Sequence, residues 1–591
     1  MATYIRLTDY KDSDSKEQGF FKSENRYEAK QDDFEKIHGS PIAYWVSETI
    51  YKLFSNQKLG EISAPRKGNT TTDNDRFLRN WYEVEKNKIA LGYESIIEAN
   101  NDLKKWFPYN KGGGYKKWYG FNESLINWES DGAEIRKIPH SVVANYQYYM
   151  LPGITWSTIT TSKFGVRDFG RGFIFDNGGC CIFIEEKDKK YIESLLNSNT
   201  FTEVFSKINP TINFQSGEIA KFPIIFPKQE SIKQQIDTLT GECIDISKEE
   251  WDSRETSWDF TKNELLKHLV PKGTLCEKSD NKIETAFNNY CSYWKQKFYK
   301  LHANEEELNR LFIDIYELGD ELTPDVDPKD ITILKNEAKI VDGKLEFVPS
   351  EIMKQFISYA VGVMFGRYSL DHDGLHIANM DESLEEVNSK FNIQNSTFQA
   401  DDDNVIPVLE DDYFSDDIAS RVVNFVKTAF GAESLSENIN FIEKCLGKTI
   451  RTYMVKDFYE DHIKRYKKRP IYWMVASPKK GFMSLSYMHR YQSDLFARVQ
   501  NNYLREYITK LEGTKEILNQ TLLSDTASSK DKKEADKKIK AIEVKLKELI
   551  AFDRDTMTHF AQNRVEIDLD DGVKVNYGKF KDILYPIKGM E

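Results

Sequence analysis

Ile154-Thr-Trp-Ser-Thr-Ile-Thr-Thr-Ser-Lys-Phe-Gly-Val-Arg-Asp-Phe-Gly-Arg-Gly-Phe-Ile-Phe-Asp-Asn-Gly-Gly-Cys-Cys-Ile-Phe183 interleaves β-branched and aromatic residues with glycine turns. Alternation at period two places one set of side chains on each face of a strand, and the glycines mark the reversals between strands. The stretch reads as a hairpin or meander. On its C-terminal side Lys187 to Lys207 has helical spacing, and Ile219 to Phe226 reads as a strand broken by Pro223. On its N-terminal side, Tyr4 to Leu7 reads as a strand followed by a polar linker. A helix is expected from Phe34 to Phe54, after Pro41, on the apolar positions Ile37, Ile42, Trp45, Val46, Ile50 and Leu53. Gly68 to Asp73 is a loop ahead of the basic-aromatic run that starts at Arg76.

Beyond the first 230 residues the pattern changes. Gln229 to Leu322 is mostly helical, 325–407 is acidic and mixed, and Ser415 to Tyr466 is helical again. Leu504, Ile508, Leu511, Leu518 and Leu522 line one arm of a helical hairpin, and Ile539, Ile542, Leu546 and Leu549 line the other. Its tip is the polar run from Asp525 to Lys533, and a short antiparallel coiled coil over 503–550 is the expectation. The fold class is therefore α+β: a mixed α/β domain over 1–230, a helical spacer over 231–330, an acidic mixed segment over 331–410 and a helical domain over 411–591.

A chain of 591 residues exceeds a single core. With 30% charged and 40% hydrophobic residues it reads as globular and water-soluble, and no apolar run is long enough to cross a membrane. The start has no apolar signal core, so a cytoplasmic location is expected. Six cysteines, of which only Cys180 and Cys181 are neighbours, give neither a disulfide framework nor a zinc spacing. The net charge of −13 argues against a general nucleic-acid binder until it is resolved along the chain. Residues 1–230 carry 31 basic and 31 acidic side chains, 301–450 carry 12 against 31, and 451–550 carry 22 against 13. The acidity is local, and a local basic surface elsewhere can still bind.

Pro108 to Gly120 packs Lys111, Lys116 and Lys117 together with Gly112-Gly113-Gly114 and the rings of Trp118 and Tyr119. Glycine lets a backbone approach a partner closely, lysine supplies charge for phosphates, and flat rings stack on bases or sugars. A nucleic-acid contact is one reading; a turn with solvated lysines and rings tucked into a local core is the other.

No Gly-x-x-x-x-Gly-Lys-Ser/Thr occurs. Asp168-Phe-Gly-Arg-Gly172 is followed by strand residues where a cofactor loop would open a helix, so it reads as a tight turn. Asp371-His-Asp-Gly-Leu-His376 has metal-ligating residue types, but an Asp-Gly turn explains it without an ion. Asn209-Pro-Thr-Ile212 is a relative of the Asn/Asp-Pro-Pro-aromatic tetrapeptide of amino-methyltransferases. Ile212 has no π face to stack on an extruded base and Thr211 lacks the stiffening ring, so it reads as structural.

The succession Ile138-Pro139, Thr158, Phe173, Ile192 to Leu196, Asn209 to Ile219 and Phe222-Pro-Ile224 resembles a target-recognition domain of bacterial restriction–modification enzymes. Phe77 to Val84, the Lys111 to Gly120 loop, Leu308 to Ile313, Pro470 to Trp473, Phe482 and Tyr487 to Tyr491 narrow the likeness. Together they resemble the C-terminal half of the PglX family, adenine-specific DNA methyltransferases of BREX phage-defence systems. The resemblance covers nearly all of the chain. The family's S-adenosylmethionine loop and Asn-Pro-Pro-Tyr tetrapeptide are not matched, so no cofactor is expected in this chain and methyl transfer is not expected of it alone.

The resemblance implies a double-stranded DNA partner, with a methyltransferase core in trans or other phage-defence subunits. Phosphate contacts are expected from Lys111, Lys116, Lys117, Arg66, Lys67, Arg76 and Arg79, with Trp118 and Tyr119 beside them. Arg167 and Arg171 are the candidates for reading bases, because planar bidentate groups specify better than lysines. Lys467, Lys468 and Arg469 form a second basic cluster, either a clamp or a solvated helix end. A protein–protein scaffold of the same defence complex is the alternative function.

Overall fold

The computed structural model describes residues 1–34, 44–209, 211–269 and 281–590. It is an α+β protein in which small sheets near the N-terminus give way to helices. Two four-stranded sheets organise the first part. One has the order Ala64–Arg66, Cys181–Phe183, Gly153–Trp156, Val166–Phe169, all antiparallel. The other runs Leu78–Asn80, Ser124–Asn127, Trp106–Asn110, Ile174–Phe175, the last pair parallel.

The stretch 154–183 is thus divided between two sheets. Gly153–Trp156 and Val166–Phe169 form the expected hairpin, with Thr155 opposite Arg167. Ile174–Phe175 then leaves for the second sheet, and Cys181–Phe183 returns to the outer side of Gly153–Trp156. Gly172 makes the departure possible: its φ of +95° suits a residue without Cβ, and its N–H donates to Met150 O at 3.1 Å. Cys180 and Cys181 are both buried but point to opposite faces of their strand, one into each of two apolar clusters. The second cluster, with Phe107, Tyr109, Trp128, Phe169 and Phe175, fills the space between the sheets.

Several local expectations are corrected. Ile219 to Phe226 is not a strand: a turn of helix, Ser216–Ile219, leads into extended chain held by Leu59 N to Phe222 O and Ile224 N to Gln57 O. Pro223 has no N–H to give a ladder, and its carbonyl accepts from Tyr316 OH instead. Lys187 to Lys207 is two helices, Glu186–Leu196 and Asn199–Ile208, because Ser198 caps the second by accepting from Phe201 N. The polar stretch after Tyr4 to Leu7 holds the helix Ser13–Phe20, opened by a capping box at Asp12. Ile37, Pro41 and Ile42 lie outside the described residues; the helix that follows, Glu48–Leu53, starts at Ser47.

The helices Glu230–Asp252 and Ile283–Ile315 pack on each other, and the second buries Trp294, Phe298, Leu301, Leu308 and Phe312 along one stripe. The helix Pro349–Met364 is buried on nearly every side from Ile352 onward. It packs on Ile418–Phe430, Leu435–Leu446 and Phe458–Arg465, and all ten residues of the strands Tyr472–Ala476 and Met483–Tyr487 are buried. The expected helical hairpin is present as Arg505–Leu523 and Ser529–Phe552, with Leu511, Ile539, Leu546 and Leu549 buried between the arms. One apolar core runs from Phe34 to Met590. Among the described residues no helix is long and apolar enough to cross a membrane.

Residues near the C-terminus come back onto the second sheet. Asp570 accepts from Trp106 Nε1 at 2.8 Å, Lys105 Nζ at 3.0 Å and Lys88 Nζ at 3.2 Å. Glu83 accepts from Val573 N at 3.1 Å.

Candidate nucleic-acid interface

The glycine-lysine-aromatic loop splits into halves with opposite surroundings. In its second half Lys116, Lys117, Trp118 and Tyr119 are all buried. Lys117 Nζ donates to Glu305 Oε2 at 2.8 Å and Trp118 Nε1 to Glu305 Oε1 at 2.7 Å, so one carboxylate takes both neighbours. Burial opposes the charge of Lys117, but Glu305 outweighs it and holds the ammonium above its ordinary pKa. Lys116 Nζ reaches Glu250 and Thr332 O, each at 3.3 Å, and Glu250 also holds Arg254. Lys248 covers the face of Tyr119 at 4.9 Å. These four residues bind the N-terminal sheets to the two long helices. They do not offer phosphate contacts, and both lysine charges are consumed internally.

The first half stays at the surface. Gly112, Gly113 and Gly114 all have positive φ, and a Cβ on Gly112 would sit 2.6 Å from Gly178 O. Gly113 N and Gly114 N both donate to Ser157 Oγ, at 3.0 and 3.1 Å, so these amides are spent on fixing the loop. Lys111 pairs with Asp176 at 2.7 Å and keeps a third of its side chain exposed.

Lys111 stands on the rim of a polar pocket of 210 Å³ bounded by Asn69, Thr70, Thr71, Thr72, Asn74, Asp176, Asn177 and Gly178. Its floor is built by backbone pairing: Asn69 N to Phe175 O at 2.8 Å and Asn177 N to Asn69 O at 2.9 Å. Asp176 accepts from Tyr109 OH and Gly178 N, and Lys111 balances its charge. Asn69 accepts from Tyr149 OH through Oδ1, which fixes the amide, and its buried Nδ2 has no partner. Asn74 Oδ1 takes the Thr71 hydroxyl at 2.8 Å. Short amides and hydroxyls on a preformed backbone are groups that meet base edges and phosphates. The sequence shows this segment only as a polar loop; its density of Asn and Thr was the available signal.

The remaining candidates scatter. Lys67, next to the pocket, is exposed, and Asn145 fixes its backbone carbonyl. Arg66 lies over Tyr148 at 5.3 Å. Arg76 is exposed beside Glu134, and Arg171 is exposed beside Glu94. Arg79 is turned inward, donating to Asp570 O, Asp571 O and Asp75 O, and is removed from the contact set. Arg167 is also removed: it is 2% exposed, faces the Phe121 ring at 4.9 Å, and has no partner for Nε or Nη1. Burial without a carboxylate pulls its pKa down to about 10. Lys467 pairs with Glu123 and Arg469 approaches Glu83, while Lys468 is exposed with φ +61°.

The segments closest to methyltransferase chemistry do not fit S-adenosylmethionine or an extruded base. Asn209 spends its amide locally, accepting from Thr211 N at 2.9 Å and donating to Asn213 O at 2.7 Å. Gly170 and Gly172 turn one strand into another with no helix behind them. In the Asp371 to His376 run, Asp371 holds Thr397, His372 stacks on Phe391, Asp373 pairs with Lys262 and His376 meets Asn388. His372 and His376 share the Phe391 ring, and among the described residues no three ligand side chains come together to hold a metal.

No protein-family model matches the chain. It is similar to the adenine-specific methyltransferase PglX of Lacticaseibacillus casei (strain Zhang), 36% identical over 620 residues that span 100% of the chain and 49% of that protein. It is 35% identical over 586 residues to the adenine-specific methyltransferase BrxX of Escherichia coli O9:H4 (strain HS), across 95% of the chain and 46% of that protein. The chain spans about half the length of these curated relatives.

Proposed function

We propose that this chain is the DNA-recognition part of an adenine-specific DNA methyltransferase of the PglX/BrxX kind, acting in phage defence. The similarity to two adenine-specific methyltransferases, over 100% and 95% of the chain, supports this reading most strongly. Residues 1–230 carry the recognition unit in this proposal. The polar pocket supplies its specific contacts, through Asn69, Thr72, Asn74 and Asn177. Lys67, Lys111, Arg76 and Arg171 meet phosphates around it, and Lys468 provides a second, distant contact. Methyl transfer is not assigned to these residues, since Asn209 and the Gly170–Gly172 turn do not fit that chemistry.

A scaffold role is the second reading. Ile517, Leu523 and Val544 are 65%, 82% and 61% exposed on the C-terminal hairpin, apolar surface that the chain itself does not cover.

Selection of bound duplexes from a random pool, followed by fluorescence anisotropy over a salt series, tests the first reading. A recovered consensus and a log–log salt slope that shrinks by about one in Lys67→Ala support it. A flat slope with no consensus, together with co-elution of defence subunits in gel filtration, would leave the scaffold.

A further inference from the structure

The strands Gly153–Trp156 and Cys181–Phe183 pair in antiparallel register, with Thr155 opposite Cys181. The ladder continues past the ends of the strands. Trp156 N donates to Cys180 O at 3.1 Å and Thr158 N to Gly178 O at 2.9 Å, in unbroken register. Carried one residue further, that register sets Ile159 opposite Asn177, and the Thr158 hydroxyl closes the end by donating to Asn177 O at 2.8 Å. Residues directly opposite in an antiparallel pair share a face, with Cβ atoms about 5 Å apart.

At this ribbon end the two opposed side chains are open to solvent. Ile159 is 64% exposed and Asn177 is exposed, while Thr158, Thr160 and Asp176 beside them are buried. The same face is fixed one pair further back. Ser157 Oγ takes Gly113 N and Gly114 N, and Gly179, which lies across from it, has no room for a Cβ because one would run into Asn110 O.

Asn177 also differs from the other two amides of the polar pocket. Asn69 gives its oxygen to Tyr149 OH, and Asn74 gives its oxygen to Thr71 Oγ1. The hydrogen bonds of Asn177 run through its backbone instead: its N–H donates to Asn69 O, and its carbonyl accepts from Thr158 Oγ1 and Cys180 Sγ. Among the described residues its side-chain amide has no partner, so a donor and an acceptor stand free on a backbone held from both sides. The acids nearby are engaged, Asp176 by Lys111 and Asp73 by Arg76 N.

A free amide matches one base edge above the others, the adjacent N7 acceptor and N6 donor of adenine in the major groove. On the same edge of an A·T pair the thymine presents its methyl, which an apolar side chain meets, and the groove admits a two-stranded ribbon. We propose that this ribbon end reads one A·T pair in the major groove of duplex DNA. The Asn177 side chain donates to adenine N7 and accepts from N6–H, and Ile159 meets the methyl of the paired thymine. The proposal rests on the DNA-recognition reading above and adds to it the identity of one base pair and the two residues that read it.

Duplexes selected from a random pool by the full chain supply a consensus, and fluorescence anisotropy then compares duplexes altered at single atoms. At one A·T position, 7-deazaadenine, which lacks the N7 acceptor, is expected to weaken the native chain about tenfold. Uracil in place of the paired thymine, which removes the methyl, is expected to weaken it about fourfold. Asn177→Ala should lose the response to 7-deazaadenine and Ile159→Ala the response to uracil, each keeping the native salt slope and the other consensus positions. Circular dichroism establishes that both variants fold. A consensus in which no A·T position responds to both analogues overturns this proposal and leaves the DNA-recognition reading standing, as does a response that persists in the matching variant. A native chain that selects no sequence and binds duplex without salt dependence overturns both.

Discussion

Lys117 and Glu305 meet at 2.8 Å although 188 residues separate them, and both are sealed from solvent. The pair sits at the seam between the N-terminal sheets and the long helix Ile283–Ile315, and Trp118 shares the same carboxylate. A charge so placed belongs to the architecture.

Lys117→Ala should therefore cost about 3–5 kcal/mol of stability, since Glu305 is left buried and unpaired. Urea unfolding measures it. The folded fraction should keep its DNA salt dependence. A stable variant with a reduced salt slope would restore Lys117 to the phosphate contacts.

At Gly112 an alanine must adopt φ +85° with its Cβ against Gly178 O. Gly112→Ala should lose about 1–3 kcal/mol to strain and deform the rim that carries Lys111. Thermal unfolding reads the first effect and duplex affinity the second. Gly114→Ala is the control: φ is +93° but nothing lies near its added Cβ, so strain comes without the clash.

Asp401 titrates far from its usual range. Burial, with the nearby Asp403 charge, pushes its carboxyl up to about 7 against Arg421. A raised carboxyl holds its proton in the folded state, so its favourable contribution is present at low pH and is lost as pH rises from about 4 through 7. Asp401→Asn should be more stable relative to the native chain at pH 8 than at pH 5, by melting temperature. An unchanged difference across that interval would count against the burial argument.

His489 has the opposite sign. Burial lowers its pKa to about 3, so the unfolded chain takes up a proton that the folded chain refuses. Stability from this group is present above about 6.5 and declines as pH falls toward 3. His489→Gln, which can still donate to Val84 O, should lose less stability between pH 6.5 and 5 than the native chain does.

Strand alternation and the two helical arms were legible as local periodicities, and the acidic middle as a local excess of charge. The glycine-lysine-aromatic loop was not. Lysines beside glycines look the same in sequence whether water or a carboxylate surrounds them, and Glu250 and Glu305 sit inside a stretch that shows only that it is helical. Arg167 shows the same limit, since its strand is half of a hairpin but its burial depends on Phe121 and the opposite sheet. The pocket at Asn69 was visible only as a loop, because it is closed by Asp176 and Gly178 more than 100 residues later. Ile219 to Phe226 failed for a smaller reason: Pro223 cannot donate to a ladder, and its neighbours found single partners in 57–59.

The Asp570 contacts set an order of events during synthesis. Trp106, Lys105 and Lys88 leave the ribosome with their acceptor still uncoded, and at about 5–20 residues per second they wait on the order of a minute for it. Until then the edge near Trp106 lacks its lid and Arg79 lacks the carbonyls of Asp570 and Asp571. A nascent chain stopped short of residue 570 would carry a nearly complete N-terminal unit with an open seam, a species suited to capture by chaperones and to proteolysis. Synthesis past residue 570 is what closes the seam around Trp106 and Arg79.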